Sequence, residues 1–159
     1  NVRITLNPGV FTYDLAYSLL PFTSNTVFIT DITGAEVKQT LEDAIDYVLN
    51  GGSSGAFPYG AGIRYEATKE GTLGTRVKKI EVFDFKANKW VPIDAKKTYM
   101  LAVNSYIAKG KDGYTTLGKI TSQKRGRDTH LSDTKIFIDY LKEKKEIGKP
   151  KSTNVIFKY

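Results

Sequence analysis

The sequence predicts an α+β fold, with one mixed or antiparallel sheet and about three main helices. Segments of period-two apolar alternation and segments of helical period both occur, but they do not alternate regularly as in parallel α/β folds. The length of 159 residues suits a single domain. A composition of 40% hydrophobic and 26% charged residues is that of a globular domain with its own core. We therefore expect residues 1–159 to form one domain.

Two helices are predicted in the first third of the chain. Thr12 precedes a short helical run as its N-cap, and Pro21 stops that run. Thr33 and Gly34 open a second helix, which the glycine-rich stretch NGGSSG ends. Its apolar residues at helical spacing are Val37, Leu41, Ala44, Ile45 and Val48. Because these residues share one face, the second helix is expected to pack against the core.

A third helix is predicted from Ser132, stopping near Gly148 and Pro150. Lysines accumulate in and just after this segment: Lys142, Lys144, Lys145, Lys149 and Lys151. They supply much of the formal net charge of +7. Cations suit the negative end of a helix dipole, so we interpret them as a solvated helix face.

Strands are predicted where β-branched and aromatic residues alternate between turn residues. The predicted strands cover residues 25–31, 62–67, 76–84, 89–93, 98–105 and 154–159. Lys86 to Asn88 are expected to close a hairpin. In the 98–105 strand, Tyr99, Leu101 and Val103 fall on one side. This alternation is what predicts the strand.

The chain is poorly equipped for catalysis on its own. His130 is the single histidine and there are no cysteines, which excludes ordinary zinc sites and histidine-rich di-metal sites. Nucleophile-elbow, P-loop and dinucleotide motifs are absent from the sequence. No spacing nominates a catalytic pair or a magnesium site among the 17 carboxylates. No apolar run approaches the roughly 20 residues that a membrane span needs.

Two aromatic residues stand beside turn-forming residues instead of inside an apolar pattern. Phe22 follows the first helix in LPFTSNTVF, and Tyr106 follows a strand in NSYIAKGKDGY. Such a ring is either a half-buried packing residue or a surface on which a ligand stacks. The residues alone favour packing.

Six short patterns occur in a fixed order along the chain: xVR, a helix leading into LPF, TG at a helix start, GxFPYGAGIRY, TYxLAVNSY and GKDGY. Together they resemble the C-terminal domain of the bacterial and animal 5'-nucleotidases, the family that includes UDP-sugar hydrolase, NAD nucleotidase and ecto-5'-nucleotidase. A single pattern such as GKDGY is weak. The ordered set is specific, and it covers the chain up to about residue 117.

The resemblance implies two domains with different functions. In that family an N-terminal calcineurin-like metallophosphatase domain, absent from this chain, holds two divalent metals and carries out hydrolysis. The C-terminal domain binds the nucleoside, so this chain is expected to bind no metal or cofactor and to be inactive alone. Its expected partners are the nucleotide or nucleoside substrate and the N-terminal domain of the same polypeptide.

The expected substrates of the parent hydrolase are AMP, NAD or UDP-sugars, and its expected location is the periplasm, the cell surface or the medium. The chain begins at Asn1 without an initiator methionine or a signal peptide. This beginning suggests a mature product or an excised domain.

Three residues are expected to hold the nucleoside, because they match the family pattern. Phe22 and Tyr106 resemble the aromatic pair that sandwiches the base, where many family members have phenylalanine in place of Tyr106. Asp112 matches the acidic residue that accepts hydrogen bonds from the ribose hydroxyls. Its alternative interpretation is an ordinary turn aspartate before Gly113.

Two more residues are carried over from the family. Arg3 matches the arginine of a GGxR pattern that contacts the phosphate, although Asn1 stands where glycine is usual. Gly55 aligns with a glycine whose backbone comes close to the nucleoside, and its alternative interpretation is a flexible loop. The family uses further phosphate-binding residues upstream, so the phosphate site of this chain is expected to be incomplete.

Two other functions stay open. A basic module could bind nucleic acid through KRGR at 124–127, with binding that falls steeply with salt. A purely structural docking domain would tolerate changes at Phe22, Tyr106 and Asp112. The resemblance favours a nucleotide, and nucleic acid is not the partner we expect.

Overall fold

Helices and strands are mixed along the chain, and the strands form two sheets instead of one. The computed structural model describes residues 4–149 and 152–159. Its helices are α1 Tyr13–Leu19, α2 Gly34–Leu49, α3 Ser105–Ala108, α4 Thr115–Ser122 and α5 Asp133–Lys144. Its strands are β1 Thr26–Thr33, β2 Ile63–Thr68, β3 Val77–Asp84, β4 Lys89–Pro92, β5 Thr98–Asn104, β6 Arg127–Ser132 and β7 Val155–Lys158. The predicted α+β class is confirmed.

The two sheets differ in strand direction. The first has the order β5-β1-β6, and β1 pairs antiparallel with both neighbours. The second has the order β4-β3-β2-β7, in which β3 pairs antiparallel with β4 and β2 while β7 runs parallel to β2. Antiparallel and mixed pairing are both present, as predicted.

The core forms where α2 meets both sheets. Four of the five apolar residues predicted on the inward face of α2 are buried, and Val48 is half-buried against them. The same cluster contains Ile32 of β1, Tyr65 of β2 and Ile80 of β3. Burial of large apolar side chains contributes about 1.5–3 kcal/mol each, so the α2 face contributes several kcal/mol to the packing of this core.

A capping box fixes the start of α2. The Thr33 hydroxyl accepts the Glu36 N–H at 3.2 Å, and Glu36 Oε2 accepts the Thr33 N–H at 2.9 Å. The Arg125 guanidinium, which follows α4, donates to both oxygens of Glu36 at 2.6 and 2.9 Å. The Arg125 side-chain hydrogen bond is the largest cause of a Glu36 pKa lowered to about 2.

A buried carboxylate joins α2 to β3. Glu42 is fully buried, and its oxygens accept the backbone N–H groups of Gly74, Arg76 and Val77 at 2.9, 3.2 and 2.7 Å. Arg76 in turn pairs with Asp46 one turn further along the helix. The acidic face of α2 thus holds the start of β3, while its apolar face holds the core.

The structure adds elements that the sequence patterns did not predict and shortens one that they did. The short helices α3 and α4 and the polar edge strand β6 were not predicted. The α5 helix ends at Lys144, because Lys145 has a φ of +61° and leaves the helical conformation before Gly148. No helix within residues 4–149 and 152–159 is long and apolar enough to cross a bilayer.

Glu42→Gln should destabilise the fold, because an amide NH2 replaces one acceptor oxygen in front of buried N–H groups. We expect a loss of about 1–3 kcal/mol in the free energy of unfolding, measured by urea denaturation. Glu143→Gln is the control, since Glu143 lies on the exposed face of α5, and it should change stability by less than about 0.5 kcal/mol. Equal stability of the two variants would contradict the role given to Glu42.

The Glu36–Arg125 pair should make stability depend on acid pH. The folded-state pKa of Glu36 is lowered from 4.5 to about 2, so its contribution is complete above pH 4.5 and is lost as the pH falls towards 2. Arg125→Met should therefore flatten the decline in unfolding free energy across this window. An unchanged slope in urea titrations between pH 4.5 and 2 would exclude the pair as a source of the decline.

Candidate functional site

Strand pairing brings the segments that carry Phe22 and Tyr106 to one end of the three-stranded sheet. Val27, near the start of β1, is opposite Asn104 at the end of β5. The Thr26 N–H donates to Ser105 Oγ at 3.1 Å, one residue before Tyr106. Phe22 lies just before β1, in a turn where its carbonyl accepts the N–H of Asn25 at 2.9 Å. Both candidate rings therefore come from backbone at this end of the sheet.

Both rings are accessible to solvent. Phe22 is 57% exposed and Tyr106 is 46% exposed. Neither belongs to the buried cluster around α2. Exposure of this degree differs from that of a core ring and leaves an aromatic surface available for contact.

Tyr106 follows the end of β5, as predicted, and lies on the short helix α3, which the sequence patterns did not predict. Asn104 is the N-cap of α3, and its Oδ1 accepts the N–H of Ile107 at 3.0 Å. Tyr106 is the second residue of this single helical turn. The cap fixes the backbone from which the ring projects, so the position of Tyr106 is set by local hydrogen bonds.

Asp112 is a neighbour of Tyr106. The Tyr106 hydroxyl donates to Asp112 Oδ1 at 3.4 Å, a long hydrogen bond on the surface. The nearby Asp112 charge is the largest cause of a raised Tyr106 pKa. Asp112 has a φ of +53°, a left-handed conformation that aspartate and asparagine tolerate. The ring and carboxylate predicted to serve base and ribose are therefore adjacent.

The loop containing Gly55 is tied to the same turn. Gly55 lies exposed in a 3₁₀ turn, Ser54–Ala56, and its N–H donates to Ser53 Oγ at 3.2 Å. The hydroxyl of the buried Tyr114 donates to the carbonyl of Ala56 at 2.9 Å. Because Tyr114 lies two residues after Asp112, this bond connects the Gly55 loop to the Asp112 turn. Burial is the main cause of a raised Tyr114 pKa, which keeps the donor protonated.

Asp43 of α2 anchors the segment that follows the Asp112 turn. Its Oδ2 accepts the hydroxyls of Thr115 and Thr116 at 2.7 Å and the Thr116 N–H at 2.8 Å. Burial alone would raise the Asp43 pKa, but hydrogen bonds from Thr116, Gln39 and Thr115 outweigh burial and lower it. The start of α4, and with it the turn, is held to the core by an ionised carboxylate.

Four of the five predicted site residues lie within the described residues, and Arg3 lies outside them. Tyr106 is hydrogen-bonded to Asp112, and Tyr114 joins the Asp112 turn to the Gly55 loop. Phe22 lies just before β1, whose first residue is hydrogen-bonded to Ser105 of α3. Sequence analysis did not identify Asn104, Tyr114 or Asp43 as supports of this site. Asn104 had a readable signal, because asparagine before a short helix is a favoured N-cap. Tyr114 and Asp43 had no such signal, since their partners are distant along the chain.

The arrangement offers three kinds of contact to a small ligand. Exposed rings provide π-faces for a flat heterocycle. A carboxylate beside a phenol hydroxyl provides an acceptor for vicinal hydroxyls and a group that can both donate and accept. The site can therefore bind and orient a ligand that combines a flat ring with a diol.

Asp112→Asn should lower the Tyr106 pKa towards that of a free tyrosine, because the negative charge beside the phenol is removed. Asparagine keeps the left-handed backbone that alanine would strain. NMR titration of the ¹³C-labelled Tyr106 ring to high pH measures the change. If Tyr106 has the same pKa in both proteins, then Tyr106 and Asp112 do not interact in solution.

Comparison with known proteins covers the whole candidate site. The sequence profile described as the 5'-nucleotidase C-terminal domain matches residues 1–119. A probable 5'-nucleotidase of Treponema pallidum is 50% identical over 98% of this chain, and an NAD 5'-nucleotidase of Haemophilus influenzae is 43% identical over 98% of it. The chain spans about a quarter of these relatives, 26% of each.

Two solved structures share the fold. NAD nucleotidase from Haemophilus influenzae has a TM-score of 0.86 at 44% identity. The match covers 93% of this chain and 26% of the nucleotidase chain. A 5'-nucleotidase precursor from Thermus thermophilus has a TM-score of 0.85 at 33% identity and covers 98% of this chain and 29% of its own. The matches extend beyond residue 117, where the sequence patterns ended. The chain therefore belongs to the 5'-nucleotidase family, as its C-terminal domain.

Proposed function

We propose that this chain is the nucleotide- or nucleoside-recognition domain of a 5'-nucleotidase-type hydrolase. The observation that supports the proposal is that the segments carrying two exposed rings meet at one end of the β1–β5 pair, with Asp112 hydrogen-bonded to one of the rings. Such groups suit a base and a ribose, and the family of the chain acts on nucleotides by name. Recognition is therefore assigned to this chain, and hydrolysis to the rest of the polypeptide.

In this proposal the base stacks between Phe22 and Tyr106. Every base has a π-face, so stacking of this kind contributes about 1–3 kcal/mol per face with little demand on base identity. The exposure of both rings leaves area that a base would cover. Helix α3 and the turn at Phe22 supply the backbone that would hold the rings apart.

The ribose is assigned to Asp112 and the phosphate to Arg3. A carboxylate that accepts from a vicinal diol makes charge-assisted bonds, each worth about 1.5–3 kcal/mol. The Tyr106 hydroxyl already points its hydrogen bond at the same carboxylate, so it can orient Asp112 before the ligand arrives. Arg3 would bind a phosphate oxygen pair with its guanidinium fork. Gly55 would allow the backbone close to the nucleoside.

The remaining steps are assigned to a metallophosphatase domain in the same polypeptide. The relatives are about four times as long as the matched region, which leaves room for such a domain. Two divalent metals held there would supply a nucleophilic hydroxide and stabilise the attacking and leaving oxygens. This chain would present the phosphoester of AMP, NAD or a UDP-sugar to that centre. The protein would act in the periplasm, at the cell surface or outside the cell.

The basic stretch at 124–127 offers limited support for nucleic-acid binding. Arg125 donates to both oxygens of Glu36 and to the carbonyl of Asp31 at 2.9 Å. A guanidinium engaged in this way would have to abandon a fold contact to bind a phosphate. The mononucleotide proposal is therefore preferred over a nucleic-acid module.

The isolated chain should bind nucleosides weakly. Two stacked faces and a ribose contact contribute at most about 9 kcal/mol, against about 4–15 kcal/mol for association. The expected dissociation constant is about millimolar, so titrations must reach that range.

Tyr106→Ala should weaken adenosine binding about 5- to 150-fold, because one stacked face of about 1–3 kcal/mol is lost. Amide NMR titration with adenosine and uridine measures this, with shifts expected around Phe22, Gly55 and Asp112. Tyr106→Phe should bind adenosine nearly as well as the wild type. Tyr140→Ala is the matched control, since Tyr140 is an equally exposed tyrosine on α5 and should bind normally.

The same titration with an oligonucleotide at two salt concentrations tests the alternative. Shifts confined to residues 124–127 that vanish at high salt would replace the proposal with nucleic-acid binding. Full adenosine affinity in Tyr106→Ala would remove Tyr106 from the site.

A further inference from the structure

Tyr47 lies between the two segments that carry the candidate site. It is in the last turn of α2 and packs, half-buried, against the core. Its carbonyl accepts the N–H of Gly52 at 2.9 Å, so the start of the loop leading to Gly55 is hydrogen-bonded to Tyr47. None of the site contacts described above uses its side chain.

Two glycines accommodate the Tyr47 side chain from opposite segments. A Cβ on Gly52 would lie 2.4 Å from the ring atoms Cδ1 and Cε1, and a Cβ on Gly113 would lie 2.3 Å from Tyr47 Cβ. Gly113 also has a φ of +80°. Both segments therefore come as close to Tyr47 as backbone without a side chain can. Gly52 lies in the segment that leads to Gly55, and Gly113 directly follows Asp112.

After Asp112 and desolvation, the phenol of Tyr47 is the smallest contributor to the raised Tyr106 pKa. The Tyr47 side chain itself lies against Gly52 with one edge of its ring and against Gly113 with its base. Its ring occupies the volume that separates the Gly55 loop from the Asp112 turn.

We propose that Tyr47 is a positioning residue that sets the separation between loop 52–56 and turn 110–114, and thereby aligns Asp112 and Tyr106 for a ribose. This inference rests on the proposed function for its ligand. Tyr114 supplies a directional bond between the same segments, through the carbonyl of Ala56. Tyr47 supplies volume, as a rigid ring with few rotamers, which fixes how near the segments can come.

If Tyr47 acts through its volume, the spacing of the two segments requires its ring and does not require its hydroxyl. Tyr47→Phe should keep both segments in place, whereas Tyr47→Ala should let them collapse towards the vacated space. Tyr99→Ala is the matched control. Tyr99 is another half-buried tyrosine packed on the same core, but it lies near the start of β5, at the end opposite Asn104.

The first measurement needs no ligand. Amide NMR spectra of the 159-residue chain should show shifts in both 52–56 and 110–114 for Tyr47→Ala, and in neither segment for Tyr47→Phe. Tyr99→Ala should shift neither. Tyr47→Ala shifts that appear in one segment alone, or in neither, would overturn the spacing role whether or not the chain binds nucleosides.

The second measurement compares adenosine with 2'-deoxyadenosine. Because Asp112 is assigned to the ribose, the wild type should prefer adenosine about tenfold or more. Tyr47→Ala should reduce this preference to about twofold or less, while Tyr47→Phe and Tyr99→Ala should keep it. A loss of general stability alone would weaken both ligands equally and leave the ratio unchanged.

The outcomes separate the two proposals. If Tyr47→Ala retains the wild-type preference, Tyr47 has no positioning role and the proposed function stands. If the wild type binds neither nucleoside at millimolar concentration, or Asp112→Asn retains the preference, the ribose assignment fails. The ligand-free spectra then decide the spacing role alone.

Discussion

The burial of one face of α2 is the interaction on which the rest of the structure depends. Its apolar residues join the two sheets into one core, because the same cluster contains residues of β1, β2 and β3. Its polar residues extend this control outward. Glu36 is held by Arg125, Glu42 holds the start of β3, and Asp43 holds the start of α4. A change in the position of this helix would therefore move the candidate site together with the core.

The elements that the sequence predicted are those whose signals are local. The start of α2 at Thr33 and Gly34 and its inward face follow from residues next to each other or three to four positions apart. The α3 helix was missed because four residues are too few to show a period. Strand β6 was missed because its sequence RDTHLS is polar and its pairing depends on β1, about 100 residues away. Short-range sequence signals therefore predicted individual elements. Which elements lie next to each other is determined by pairing between residues that are far apart along the chain.

The same distinction applies to the candidate site. The placement of Phe22 and Tyr106 beside turn residues showed that these rings were unusual, but it could not show that β1 and β5 bring their segments together. Asp112 and Gly55 were identified through family resemblance, since an aspartate before glycine is an ordinary turn sequence. The supports contributed by Tyr114, Asp43 and Tyr47 depend on contacts across many residues, so no window of sequence contained them.

The parallel strand β7 has a consequence for the order of folding. It pairs Val155 with Tyr65, two residues that are 90 positions apart, and such distant pairing is slow because loop closure must precede it. The Phe157 ring of this strand packs edge-on against the Phe57 ring, with 5.4 Å between the ring centroids. Phe57 is next to Ala56, whose carbonyl accepts the Tyr114 hydroxyl. Of the described strands, β7 is therefore the last along the chain to pack against the loop that carries Gly55. A nascent chain would therefore contain α2 and most of its core partners before β7 could pack against the loop that carries Gly55.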